Sequence, residues 1–126
     1  MAVIASVFVA LAALLHGYIF LMESVWWSRP ATWKRFGVAD QAQADATKPM
    51  AYNQGFYNLF LGIGAAVGLV LFWAGAVAPG EALVLFTTAC MALAALVLTT
   101  TGRGYWKAAL VQGTLPLVGF VLFALA

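Results

Sequence analysis

The sequence predicts an all-α membrane protein, a four-transmembrane-helix bundle, from its composition and its long uncharged runs. The chain has 126 residues, of which 65% are hydrophobic and 8% are charged, and its mean hydropathy is +0.99. Soluble domains carry roughly a quarter charged residues, so this composition cannot cover a water-facing surface. The six Lys and Arg residues are too few to follow a nucleic-acid backbone, so nucleic acid is excluded as a partner.

Four apolar runs are each long enough to cross a bilayer, which takes about 20 helical residues. The predicted spans are about 2–25, 51–77, 82–102 and 107–126. Because they use nearly the whole chain, we expect a single integral membrane domain over 1–126. The first run has no basic start and is longer than the apolar core of a signal peptide, so we expect it to be retained as a span.

The placement of the basic residues predicts how the spans are oriented. All six lie in two segments, the loop at about 28–50 and the short turn after the third span, whereas the turn around 79–81 has none. By the positive-inside rule both basic loops are cytoplasmic, and the N- and C-termini are both outside. Tryptophans and basic residues alternate at 26–36, which predicts a short helix among the lipid headgroups, so membrane lipids are expected partners.

Polar side chains inside the spans are costly and are therefore candidates for function. They gather within roughly 15 Å of the predicted cytoplasmic interface. His16 and Glu23 are two turns apart and project from nearly the same face of the first helix, and Asn53 and Tyr57 share a stripe of the second. We expect a polar pocket open to the cytoplasmic side. Its candidate ligand-binding residues are His16, Glu23, Asn53, Gln54, Tyr57, Asn58 and Gln112.

Small residues and a proline add detail to the predicted bundle. Pro116 cannot donate to the carbonyl of Gln112, which predicts a kink and a free acceptor beside that amide. Gly64 and Gly68 form a small-xxx-small pair that permits close helix contact, and in so small a chain the pair is compatible with a homo-oligomer. With one His and one Cys in the chain, no metal site and no cofactor are expected.

Several short strings are similar to those of a known family. They are His16-Gly17-Tyr18-Ile19, Glu23, Trp26-Trp27, Phe36-Gly37, Asn53-Gln54-Gly55-Phe56-Tyr57-Asn58, and Val111-Gln112-Gly113 with Pro116. Together they resemble a family of small bacterial inner-membrane proteins catalogued as domain of unknown function 1304. The resemblance implies a four-helix protein of the bacterial inner (plasma) membrane. It implies no catalytic role for any residue.

Three functions fit this pattern of residues. The first is a membrane protein that binds or carries a small amphipathic or lipid-like molecule. The second is a proton-coupled exporter resembling the small multidrug transporters, in which Glu23 exchanges a proton for a cationic substrate. The third is an intramembrane acid–base enzyme such as an isomerase, in which His16 or Glu23 moves a proton. The sequence does not decide whether the protein is an enzyme.

Purely structural roles are open for the same residues. The amides of the second and fourth spans can hydrogen-bond neighbouring helices, each bond being worth about 0.6 to 2 kcal/mol. Glu23 can also be a solvated helix end that is paired with Arg29 or Lys34.

Overall fold

The computed structural model describes residues 1–126 and confirms the predicted fold class, because four of its helices are long and apolar enough to span a membrane and it contains no strand. The first helix continues into a π-helical turn at Leu21–Val25, and a short connector helix follows. The helices are α1 (Ala2–Phe20), α2 (Pro30–Trp33), α3 (Gln41–Trp73), α4 (Val77–Thr99) and α5 (Trp106–Ala124).

The four long helices form a ring in which each packs on two neighbours. Helix α1 lies between α3 and α5, α4 lies between the same two helices on the opposite side, and α1 barely touches α4. Successive long helices run in opposite directions, since short turns or the connector join them. The centre of the ring is filled mainly by small side chains, which let the helices approach closely. Its buried residues are Ala5, Val9, Ala12, Ala65, Val84, Met91 and Phe123.

The glycine pair of the second span is used inside the chain. A Cβ atom at Gly64 would lie 2.7 Å from Thr87 Cγ2, and one at Gly68 would lie 2.8 Å from Val84 Cγ2. Both glycines therefore face α4 and allow α3 to pack tightly on it. The sequence made Gly64 and Gly68 compatible with contact between two copies of the chain. In the structure they pack α3 against α4 within one copy.

The turn between α3 and α4 lies at residues 74–76 instead of around 79–81. Gly75 has a φ of 94°, a left-handed conformation that glycine adopts without steric cost. Pro79 lies in the first turn of α4, where a backbone N–H would have no partner within the helix. The Pro-Gly pair therefore marks the beginning of a helix, and the second span ends at Trp73 instead of near residue 77.

The second half of the predicted 28–50 loop is helical, because α3 begins at Gln41. Asp40 caps this helix by accepting a hydrogen bond of 2.8 Å from the backbone N–H of Gln43. Helix α3 has 33 residues and is therefore about 50 Å long, well beyond the roughly 30 Å of a bilayer core. Its first turns extend past the membrane-spanning part.

Two tryptophans of the connector pack on that extension. Trp27 and Trp33 are 6% and 5% exposed and form a second small core with Ala44 and Ala51. The indole N–H of Trp27 also donates to the carbonyl of Ala44 over 2.9 Å. The predicted short helix is present as Pro30–Trp33, but these two rings hold the connector against α3 and are not spread among headgroups.

All six basic side chains are exposed and lie at the end of the bundle that holds the connector and the α4–α5 turn. We call this the basic end. Its residues are Arg29, Lys34, Arg35, Lys48, Arg103 and Lys107.

The positive-inside rule predicts that the basic end is cytoplasmic. In a Cys90→Ala background, which leaves no other cysteine, we expect Ala74→Cys to react with a membrane-impermeant maleimide on intact cells and Ser28→Cys to react only after permeabilisation. Both positions are exposed, so permeabilised cells provide the control for reactivity. Labelling of position 28 alone on intact cells would show that the orientation is the reverse of the predicted one.

Close packing of α3 and α4 predicts a strong effect of a single methyl group at Gly80. A Cβ atom there would collide with the backbone of Phe72 and lie 2.8 Å from the carbonyl oxygen of Gly68, whereas one at Gly17 meets nothing within 4 Å. We expect Gly80→Ala to lower the free energy of unfolding by about 1–3 kcal/mol. Gly17→Ala should be neutral, or stabilising by up to about 1 kcal/mol through helix propensity. Thermal unfolding of both purified variants measures the difference, and equal midpoints would contradict the packing.

Candidate functional site

His16 lies in the centre of the bundle and is fully buried. It belongs to the buried stripe of α1, whose members are Ala5, Val9, Ala12, His16 and Ile19. Its Nδ1 is 2.8 Å from the carbonyl oxygen of Ala12, and because a carbonyl only accepts, Nδ1 carries the proton. Its Nε2 is buried and has no hydrogen-bond partner in the protein. Such orphaned polar atoms are rare in folded proteins, which makes Nε2 a candidate contact for a ligand.

Glu23 lies in the π-helical turn that ends the first span. The turn is closed by a hydrogen bond of 2.8 Å from the N–H of Trp26 to the carbonyl of Leu21, five residues earlier. A π turn takes more residues than an α turn, so it changes the direction in which Glu23 projects relative to His16. Glu23 Oε2 accepts a hydrogen bond of 2.9 Å from Asn58 Nδ2 on α3. The predicted carboxylate and one of the predicted amides are therefore in direct contact.

Both N–H groups of the Asn58 amide are in use. Besides the bond to Glu23, Asn58 Nδ2 donates to the carbonyl of Gln54 over 3.0 Å. Asn58 Oδ1 and Glu23 Oε1 take part in no hydrogen bond, and both are acceptors when the carboxyl group is ionised. The pair therefore presents two free acceptor oxygens.

The cations nearest in sequence do not pair with Glu23. The guanidinium of Arg29 lies 5.3 Å from the centre of the Trp26 ring, and the ammonium of Lys34 lies 5.7 Å from that of Trp33. Both are cation–π contacts at the surface of the connector. Glu23 is half-buried against α3 and is not the solvated, cation-paired helix end that the sequence left open.

Gln112 is half-buried and lies seven residues, about two turns, before Gly119, so the two project from nearly the same side of α5. On that face a Cβ atom at Gly119 would lie 3.0 Å from Val9 Cγ2. This contact between Val9 and Gly119 sets the register of the two antiparallel helices. Seven residues closer to the basic end, α1 reaches His16 and α5 reaches Gln112, so these two residues lie at the same level. Pro116 is buried on the same face and removes the N–H that would bond the carbonyl of Gln112.

Three of the predicted site residues, all on α3, do not face α1. The stripe of α3 that faces α1 runs through Gly55, Asn58 and Gly62. Residues that do not follow this spacing project elsewhere, and their side chains are exposed. They are Asn53, Gln54 and Tyr57.

An apolar groove follows the α1–α3 seam. Its volume is about 470 Å³, which lies within the usual range of small-molecule sites. Gly17 and the alanines leave it wide, because their side chains do not fill the seam. Several of its larger residues are exposed, so the groove is open on the side that faces lipid. Its lining residues are Ala10, Ala13, Leu14, Gly17, Leu59, Gly62, Ile63, Ala66, Leu69 and Val70.

Hydrogen bonds hold the seam on either side of this groove. At the far end the indole N–H of Trp73 donates to Ser6 Oγ over 3.1 Å, and at the basic end Ser24 Oγ donates to the carbonyl of Tyr52 over 2.8 Å. The Glu23–Asn58 bond reinforces the basic end. The seam is therefore held at both ends by polar contacts. In its middle Gly62 packs closely on Ala13, and the groove lies on the exposed side of that contact.

Sequence reasoning missed Ser24 and the groove. The signal was present in α1, where Ala10, Ala13, Leu14 and Gly17 recur at helical spacing. A stripe of small residues has two structural outcomes, tight contact or an open groove, and only the position of the opposing helix decides between them.

A sequence model of the family described as "Protein of unknown function (DUF1304)" matches residues 10–124. The chain belongs to this family. The match confirms the resemblance drawn from the short strings, and it covers all seven predicted site residues. No curated protein and no solved structure matches the chain.

The contact between Glu23 and Asn58 predicts unequal effects of two otherwise identical substitutions. Asn58→Ala removes the amide that bonds the carboxylate, whereas Asn53→Ala removes an exposed amide from the same helix. We expect Asn58→Ala to lower the free energy of unfolding by about 0.6 to 2 kcal/mol and Asn53→Ala to leave it nearly unchanged. Thermal unfolding in detergent compares the two, and an equal loss in both would show that the bond does not stabilise the bundle.

Proposed function

We propose that this membrane protein binds or carries a small amphipathic molecule, with its apolar chain in the α1–α3 groove and its polar head at Glu23 and Asn58. The observation that supports this most directly is the order of the lining along the seam. The groove reaches Leu59, and Asn58 is the next residue towards the basic end. An apolar channel that leads to a polar pair matches the two parts of an amphipathic molecule.

Distances along the helices fit a single ligand. On α1 the groove lining ends at Gly17, and Glu23 follows after about 9 Å of helix. On α3 the polar residue follows the apolar lining directly. Leu14, Ile63 and Val70 line the groove and are exposed, so a chain can enter sideways from the bilayer without crossing the bundle.

The membrane setting of the proposal follows from charge and from the family resemblance. We place the basic end in the cytoplasm by the positive-inside rule, and the protein in the bacterial inner membrane. The polar head would then lie in the cytoplasmic leaflet, at the basic end of the bundle.

An intramembrane acid–base enzyme is the second candidate, and the orphaned Nε2 of His16 favours it. An imidazole nitrogen that is free to accept a proton is a suitable general base for a molecule bound beside it. In that case His16→Ala would abolish turnover of the bound molecule and change its affinity only a few fold.

Filling the groove should remove the ligand. Gly17→Leu places a leucine side chain in the open space of the seam, whereas Ala94→Leu places the same side chain at an exposed position of α4. We expect native mass spectrometry of the gently solubilised protein to show a retained non-protein mass in the wild type and in Ala94→Leu, and to show its loss in Gly17→Leu. Identical spectra for the three proteins would overturn the proposal.

A further inference from the structure

We infer that the polar head of the ligand is a hydrogen-bond donor, an ammonium or a hydroxyl group, and that phosphate and carboxylate heads are rejected. The inference rests on the proposed function, since it concerns the head of the molecule whose chain lies in the groove. It follows from which polar atoms of the bundle are still free to bond.

With the carboxyl group of Glu23 ionised, the free polar atoms next to the groove are acceptors. Glu23 Oε1 and Asn58 Oδ1 are unbonded, whereas both N–H groups of Asn58 are committed to Glu23 and to the carbonyl of Gln54. Deeper in the bundle, His16 holds its proton on Nδ1, so the uncharged ring offers only a lone pair at Nε2. A head that enters here finds atoms that accept hydrogen bonds.

Donors are scarce at the same level. The buried hydroxyls of Thr87 and Thr88 donate to carbonyls of their own helix, at 2.8 and 2.7 Å. Ser24 donates to the carbonyl of Tyr52. Two side chains keep a free donor group. The Gln112 amide lies at the level of His16, about two turns beyond Glu23, and the exposed Tyr18 hydroxyl, which accepts from Arg35, donates to no protein group.

No Lys or Arg side chain contacts the Glu23–Asn58 pair. All six Lys and Arg side chains are exposed at the basic end, and three of them, Arg29, Lys34 and Lys107, lie over tryptophan rings. Arg35 donates instead to the hydroxyl of Tyr18, over 3.3 Å. When Glu23 is ionised, an anion brought to it would face a like charge in a medium that screens it poorly.

Hydrogen-bond strength gives an expected order of affinity for the three kinds of head group. An ammonium group forms a charge-assisted hydrogen bond with a carboxylate, which is roughly twice as strong as a bond between neutral groups. A hydroxyl group donates one neutral bond to Glu23 Oε1 or Asn58 Oδ1. A carboxylate or phosphate donates none when it is fully ionised. The expected order of affinity is ammonium, then hydroxyl, then carboxylate.

Three probes that share one chain test this order on the purified full-length protein in dodecyl maltoside. They are dodecylammonium, dodecanol and dodecanoate, each added at the same mole fraction while the unfolding midpoint is followed. We expect dodecylammonium to raise the midpoint most, with an apparent affinity about tenfold or more above that of dodecanoate. In Glu23→Gln the ammonium should fall to the level of the alcohol, and in the control Asn53→Ala it should keep its advantage.

The variants separate failure of this inference from failure of the proposed function. If dodecanoate stabilises the wild type as well as dodecylammonium does, or if Glu23→Gln keeps the ammonium preference, the donor-head inference is wrong while the groove stands. If Gly17→Leu responds to all three probes as the wild type does, the groove does not hold the chain and the proposed function is wrong as well. Micelle charge changes equally for every variant, so differences between variants report the site. Should Glu23→Gln fail to fold, the difference between the wild type and Gly17→Leu for each probe still gives the order of affinity at the site, because micelle charge cancels in that difference.

Discussion

The hydrogen bond between Asn58 and Glu23 fixes the seam on which the rest of the candidate site depends. In hydrocarbon a carboxyl group without a partner is costly, so the two helices gain free energy by meeting at this point. The bond of 2.9 Å holds α1 to α3 at the basic end, and the Trp73–Ser6 bond holds them at the other. Between these ends Gly62 packs closely on Ala13, and beside that contact small side chains leave a groove of about 470 Å³.

Glycine has two different uses in this bundle, and the contrast explains why the groove lies where it does. Around the rest of the ring the neighbouring helix fills the space that a glycine leaves, as Val84 does at Gly68 and Ala95 at Gly113. At Gly17 nothing lies within 4 Å of a Cβ position. Gly17 is therefore the one glycine within a long helix whose space no neighbouring group fills, and it lies beside the groove of the α1–α3 seam.

The architecture could be predicted from the sequence because a bilayer allows few solutions. A run of about 20 uncharged residues between charged ones is a spanning helix whatever its details. The exact limits depend on more. Pro79 and Gly80 have the composition of a turn, but a proline is tolerated in a first helical turn, so the chain turns at Gly75 instead. Helix α3 begins at Gln41 because Trp27 and Trp33 pack on its first turns, a contact between residues that the linear pattern does not connect.

The position of the candidate site along the bundle axis, its depth, could also be predicted. Which residues face the site, its membership, could be predicted only in part. Depth depends on residue number, and the predicted polar residues do lie towards the basic end. Membership depends on helical phase, which turns by about 100° per residue, so Asn53 and Asn58 project from different sides of α3. The π-helical turn adds a local change of phase around Glu23 for which the sequence gives no clear signal.

The two ionisable residues of the first span are held in different ways, which separates what each can do. Glu23 is half-buried, bonded through one oxygen and open at the other, so a head group reaches it without displacing a protein partner. His16 is fully buried behind the seam, with its Cβ 3.6 Å from the Cβ position at Gly62. A molecule in the groove meets Glu23 by sliding along the seam, but it meets Nε2 of His16 only if α1 and α3 separate near Gly62. Binding therefore requires only Glu23 and Asn58, whereas any acid–base chemistry at His16 requires a further movement of the helices.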